Sequence, residues 1–173
     1  MQEPTPIVVG MDVHQEEVVL AVLRPEERSP TAFQKLRNEP VRIRRFLRKV
    51  AKAGPIHVCY EASGCGYVLQ RALASWGYPC TVIAPSLAPR RSGDRVKTDR
   101  RDAERLAMDF RAGLLTAIHV PGMSEERVRG LTRAHETLSR EIRRSRQYIL
   151  KFLQVRGVHF RPEKSANHWS PTH

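Results

Sequence analysis

A chain of 173 residues is long enough for one well-packed domain with an appendage, and too short for two domains of ordinary size. Thirty Lys and Arg against 18 Asp and Glu leave a net charge of +12 and a pI near 10.5, which suits polyanions and makes nucleic acid the leading partner. No apolar run approaches the ~20 residues that span a bilayer, Met1-Gln2-Glu3-Pro4 lacks a signal-peptide pattern, and Cys59, Cys65 and Cys80 form no CxxC pair, so the expectation is a soluble intracellular protein with reduced thiols.

In chain order, the apolar run Ile7-Val8-Val9-Gly10-Met11 reads as a buried strand closed by Asp12, and Glu17 to Leu23 as a second strand. Glu26 to Pro30 is a polar turn into a short third strand around Thr31 to Leu36, which completes an antiparallel meander. Pro40 opens an amphipathic helix through Val41, Ile43, Phe46, Leu47 and Val50, ending near Gly54-Pro55. Ile56 to Tyr60 is another buried strand, closed by Glu61, and a second helix runs through Val68, Leu69, Ala72, Leu73 and Trp76. Gly77-Tyr78-Pro79 breaks it before a strand over Cys80 to Ala84. A third helix opens at Lys97-Thr98-Asp99-Arg100-Arg101-Asp102-Ala103, with apolar positions at Ala103, Leu106, Ala107 and Phe110. A meander followed by alternating helices and strands predicts an α/β fold with a ribonuclease H-like mixed sheet and flanking helices.

In this fold Asp12, Glu61, Asp99 and Asp102 are the candidate catalytic and metal-ligating residues. Two strand ends each deliver a carboxylate at one sheet edge, while Asp99 and Asp102 share the helix face turned toward the sheet. Carboxylates gathered there repel one another unless a cation compensates them, and Mg²⁺ (or Mn²⁺) with its hard oxygen ligands suits phosphodiester chemistry. Each residue taken singly has a plainer reading: Asp99 as a helix N-cap, Asp102 as a first-turn answer to the helix dipole, and Asp12 and Glu61 as turn residues. The joint pattern is what favours the metal.

Between Pro89 and Asp102, Arg90, Arg91, Arg95, Lys97, Arg100 and Arg101 gather beside Gly93, a loop suited to phosphate contacts or, more plainly, to solvent. Beyond Pro121-Gly122 a long helical stretch carries Val128, Leu131, Leu138, Ile142, Ile149, Phe152 and Leu153 at coiled-coil spacings, interrupted by His135 and Ser145. Its other faces are basic, and Arg140, Arg143 and Arg144 are candidate nucleic-acid contacts. Self-association into a homodimer or higher oligomer is one expectation for this arm, and packing against the domain's own sheet is the other. The resulting organisation is a domain over 1–120, an arm over 121–160 and a polar, aperiodic tail over 161–173 expected to be disordered.

The motifs Gly10-Met11-Asp12-Val13-His14, Tyr60-Glu61-Ala62-Ser63-Gly64 and above all Lys97-Thr98-Asp99-Arg100-Arg101-Asp102-Ala103 resemble those of the DEDD-type transposases of the insertion-sequence one-ten family. The likeness runs from about Ile7 to about Phe160. It implies a RuvC-like N-terminal domain whose carboxylates, here Asp12, Glu61, Asp99 and Asp102, bind Mg²⁺ during DNA recombination guided by a bridge RNA, in the cytoplasm at the nucleoid. Such proteins continue into a C-terminal domain with a catalytic serine, whose opening His168-Trp169 resemble, so the resemblance implies that this chain alone does not transpose. Two other functions stay open on the residues: a non-catalytic RNA- or DNA-binding and dimerisation module, and a stand-alone metal-dependent Holliday-junction resolvase or ribonuclease.

Overall fold

The computed structural model describes residues 4–87 and 98–158. Arg90, Arg91, Arg95 and Lys97 of the predicted phosphate-contacting loop, and the tail over 161–173, lie outside the described residues. The chain divides into two compact units between Val120 and Pro121.

The first unit is built on strands β1 (Ile7–Val13), β2 (Glu17–Leu23), β3 (Ala32–Arg37), β4 (Ile56–Glu61) and β5 (Cys80–Ile83), with helices α1 (Pro40–Val50), α2 (Val68–Ser75) and α3 (Asp99–Arg111). The sheet order is β3-β2-β1-β4-β5. The pairs β1–β2 and β2–β3 are antiparallel, while β1–β4 and β4–β5 are parallel. This meander with two helical crossovers is the ribonuclease H-like arrangement that the order of apolar runs predicts.

The central strand β1 is covered on both faces, which is why it reads as a nearly continuous apolar run. Ile7, Val9 and Met11 face one core, together with Leu20, Val58, Tyr60, Ile43 and Leu47 of α1, and Leu73 of α2. Val8 and Cys59 face the other way, against Leu106 and Ala107 of α3. Of the apolar stripes that the spacing marked, α1 buries Ile43 and Leu47, α2 Leu73 and α3 Ala103, Leu106 and Ala107, whereas Val41 and Val68, at the first turns of α1 and α2, are exposed. Pro40 starts α1 at a position where a missing N–H costs nothing, and Gly113, at φ +69°, closes α3 in the left-handed conformation that glycine adopts without strain.

The seam between α3 and β1 is unusually close. A Cβ added to Gly10 would lie 2.3 Å from the Ala103 carbonyl oxygen and 2.6 Å from the Ala107 nitrogen. Helix backbone, not a side chain, therefore rests on the strand at this point, which only glycine on one side and small residues on the other permit. Farther along, Arg111 in the last turn of α3 donates to the carbonyls of Arg24, Glu27 and Arg28, at 3.2, 2.6 and 3.2 Å, and so fastens the β2–β3 turn. After α3 the chain returns along the sheet edge, where Ala84 N–H donates to Thr116 and Ile118 N–H to Val82. The return covers part of the outer side of β5.

The second unit contains α4 (Met123–Val155), 33 residues or about 50 Å long, with Glu125 and Glu126 in the first turn where the helix dipole favours negative charge. Its residues Val128, Leu131, Leu138, Ile142, Ile149 and Phe152 are exposed. Among the described residues no helix is long and apolar enough to cross a membrane.

Two substitutions test this architecture. Gly10→Ala has to displace α3 backbone and should destabilise the first unit by about 1–3 kcal/mol, read as a lower urea midpoint; an unchanged midpoint would contradict the close seam. Arg111→Ala should cost about 1 kcal/mol and speed amide exchange in the β2–β3 turn, whereas exchange unchanged there would show that the turn holds itself.

Candidate metal centre

Side chains alternate along a strand, and Asp12 therefore shares a face with Val8 and Gly10, the face that α3 covers. Pairing of Met11 with Tyr60 in parallel register brings the ends of β1 and β4 level, and Glu61 follows Tyr60 on the same face as Cys59. The α3 seam then brings the first turn of that helix over the end of β1.

Asp12, His14 and Asp99 each offer a ligand atom, and these three atoms lie within 4.8 Å of one another. The His14 ring Nε2 is 3.1 Å from Asp12 Oδ2 and 3.7 Å from Asp99 Oδ1. Asp102 stands one turn into α3, where its Oδ1 accepts from Arg105 Nη2 at 3.2 Å. Side-chain exposure separates the group into an enclosed pair, Asp102 at 15 % and Asp12 at 20 %, and an open pair, Asp99 at 51 % and His14 at 55 %. An ion entering from solvent would meet the open pair first.

Burial pushes the Asp12 carboxyl above the usual carboxylate range. His14 opposes that rise through its charge and hydrogen bond, while the negative charges of Asp102 and Asp99 add to it. Asp12 thus senses both helix carboxylates, and ionising it costs energy that a divalent cation would recover. The donor set fits a hard cation: the carboxylate oxygens of Asp12 and Asp99 converge, Asp102 adds negative charge that Asp12 senses, and the exposure of Asp99 leaves that side accessible to water.

The predicted residues fall differently around this centre. Asp12 and Asp99 are in the tight group, Asp102 acts on Asp12 through its charge, and Glu61 closes the neighbouring parallel strand, outside the three-residue group. Thr98, not Asp99, is the N-cap of α3, since its Oγ1 accepts the Arg101 backbone N–H at 3.4 Å. The Asp99 carboxylate is thereby left to face Asp12 and His14. Arg100 lies over the Phe33 ring with its guanidinium 4.0 Å from the centroid, and Arg101 is exposed beside it. Arg140 and Arg143 are exposed on α4, and Arg144 donates to the Tyr148 hydroxyl at 3.2 Å.

Residue-by-residue reading missed His14. The signal was available, because a residue two positions after Asp12 lies on the same strand face, and imidazole is a common ligand and carboxylate partner. Arg105, which pairs with Asp102, gives no sequence signal beyond its i,i+3 spacing from that residue.

Comparison with known proteins agrees with this picture at the level of family. A family model for DEDD transposases of the IS110 type, described as Transposase, matches residues 9–156. The transposase for insertion sequence element IS1533 of Leptospira borgpetersenii is 34 % identical over 171 residues, 96 % of this chain and 48 % of that protein. The putative transposase y4qE of Sinorhizobium fredii (strain NBRC 101917 / NGR234) is 39 % identical over 151 residues, 86 % of this chain and 39 % of that protein. The chain therefore spans about half or less of the length of these curated relatives. A solved structure of T. thermophilus RuvC in complex with Holliday junction substrate is similar at TM-score 0.43 and 14 % identity, over 66 % of this chain and 100 % of that one. The fold is read from the strand order, and the family from the extent of the sequence match: the chain belongs to the IS110 family of DEDD transposases.

Proposed function

We propose that this chain is the metal-dependent, RuvC-like part of a DNA transposase, in which Asp12, Glu61, Asp99 and Asp102 hold Mg²⁺ (or Mn²⁺) for phosphodiester cleavage. The observation that carries this reading is the convergence of Asp12 and Asp99, from a strand end and a helix start 87 positions apart in sequence, on one opening. A divalent ion bound there would supply Lewis-acid activation of a phosphodiester and of its attacking nucleophile. The chain's own residues do the rest: Asp12 is the central ligand, Glu61 and Asp102 flank it, Asp99 completes the set at the open side, and His14 orients the Asp12 and Asp99 carboxylates. Because the relatives are about twice as long, transposition as a whole is assigned to this region together with the remainder of such a protein, in the cytoplasm at the nucleoid.

Nucleic acid is held by Arg100 and Arg101, by Arg90, Arg91, Arg95 and Lys97, and by Arg140, Arg143 and Arg144, with DNA and a guide RNA as the partners. The domain extends over 1–120 and the arm over 121–160. The arm pairs with a second copy. If Val128 occupies heptad position a, then Leu131, Leu138 and Phe152 fall at d and Ile142 and Ile149 at a, with His135 and Ser145 as the polar interruptions that fix register. Arg140, Arg143 and Arg144 then sit at f, b and c, away from the seam and open to phosphate.

Metal binding is tested by thermal melting. At a divalent concentration about a hundred times Kd, the ion should add about 2.7 kcal/mol and raise the midpoint by several degrees in the wild type, with no shift in Asp12→Asn. Equal shifts in the two proteins would place the metal elsewhere. The pH dependence follows from the raised Asp12 carboxyl: its contribution to metal-free stability is full below the unfolded value of 3.8 and is lost as pH rises through the higher folded value. Without metal at neutral pH, Asp12→Asn should therefore be more stable than wild type, and metal affinity should weaken as pH falls toward the folded value. A less stable metal-free variant would refute the assignment. For the arm, Leu138→Asp should convert a dimer to a monomer in sedimentation, and a wild type already monomeric at micromolar concentration would exclude pairing.

A further inference from the structure

Helix α1 carries Arg42, Arg44, Arg45, Arg48 and Lys49 within 11 residues and no acidic residue, and Lys52 follows it. Its buried residues Ile43 and Leu47 fix which side is inward, so the cations form the outer face. Solvated helix faces generally mix both signs, and two basic residues in the last turn already answer the dipole. Here Arg44 and Arg48, Arg45 and Lys49, and Arg48 and Lys52 stand as like charges four residues apart, an arrangement that weakens a helix. Arg42 pairs with Glu39, but Arg44, Arg45, Arg48, Lys49 and Lys52 have no carboxylate partner among the described residues.

These five line a groove of about 820 Å³, together with Tyr78. Arg44 is held in place, its guanidinium 5.6 Å from the centroid of the Trp76 ring. From Arg44 to Lys52 the row extends about 12 Å at a helical rise of 1.5 Å per residue. At about 3.4 Å of axis per nucleotide along one strand, that length matches roughly three to four nucleotides of a duplex backbone. A single phosphate would leave most of the row uncompensated.

The groove is remote from the carboxylates. Helix α1 packs on the core of Met11, Val58 and Tyr60, whereas α3 packs on the opposite face with Val8, Cys59 and Val19. A protein that moves DNA between sites has to hold more than one stretch of it, and the acceptor chemistry of each stretch is phosphate. We propose that the α1 groove is a DNA-backbone-binding surface, gripping a stretch of duplex other than the one presented to Asp12. The inference rests on the DNA-directed reading above and is independent of its metal site.

The test is fluorescence anisotropy of the whole chain with a labelled 30-bp duplex of arbitrary sequence, in EDTA so that the carboxylate centre cannot contribute. Arg45→Gln with Arg48→Gln is compared with Arg28→Gln with Arg37→Gln, a pair of exposed cations elsewhere in the same unit that removes the same net charge. The α1 pair should lower affinity roughly tenfold at 0.1 M salt and reduce the slope of log K against log salt by about 2, and Arg45→Lys with Arg48→Lys should restore most of both. An α1 pair that behaves like the control pair overturns the proposal. So does a loss confined to an RNA hairpin probe of equal length, which would assign the groove to RNA. Unchanged far-ultraviolet circular dichroism and a melting midpoint no lower than wild type in the α1 variants establish that the groove, not the fold, was altered. Loss of metal binding at Asp12 with this slope change intact would refute the metal reading and leave the groove standing.

Discussion

The close approach of α3 to β1 at Gly10 is the contact on which the candidate centre depends. With the Ala103 carbonyl oxygen only 2.3 Å from where a Cβ would stand, no larger residue leaves the helix where it is. Backbone-to-backbone packing of this kind fixes both the height and the axial position of α3, because Ala103 and Ala107 have little freedom to adjust. In the turn that leads into Ala103 the same helix presents Asp99 and Asp102. The seam thus converts a steric fact about one glycine into the position of two carboxylates relative to Asp12. Arg111 steadies the far end of the helix on the β2–β3 turn, so the first turn cannot pivot freely about the seam.

Charge is distributed across the sheet in a way that follows from the same architecture. The α3 side concentrates Asp12, Asp99 and Asp102, and burial makes the charge of Asp12 costly, as its raised carboxyl records. Positive charge dominates the chain as a whole, at +12, and α1 gathers five cations on the opposite face. A polyanion attracted by the net charge would be repelled locally by bare carboxylates, and a divalent cation reverses that repulsion. His14 makes a smaller compensation, with one imidazole between two carboxylates.

Much of this was legible from the sequence, for identifiable reasons. Strands β1 and β4 are buried on both faces, so their apolar runs and closing carboxylates stood out, and the spacing of Ala103, Leu106 and Ala107 marked the inward face of α3. Three features were not legible. Gly10 looks like any strand glycine until the partner helix is known, since the contact joins positions 93 and 97 residues apart. The tie from Arg111 to the carbonyls of Arg24, Glu27 and Arg28 uses backbone acceptors, which leave no trace in side-chain identity. The cations of α1 are plain in the sequence, but only the burial of Ile43 and Leu47 shows that they share one outward face. Thr98 in place of Asp99 as the cap of α3 is a one-residue difference that separates a structural carboxylate from one turned toward Asp12.

Diffraction from crystals soaked in Mn²⁺ tests the central claim most directly, because it asks whether strand and helix carboxylates share one ion. An ion shared by strand and helix gives an anomalous peak about 2 Å from carboxylate oxygens of both Asp12 and Asp99. A well-ordered centre with no peak, or a peak bound by α3 carboxylates alone, would contradict the claim.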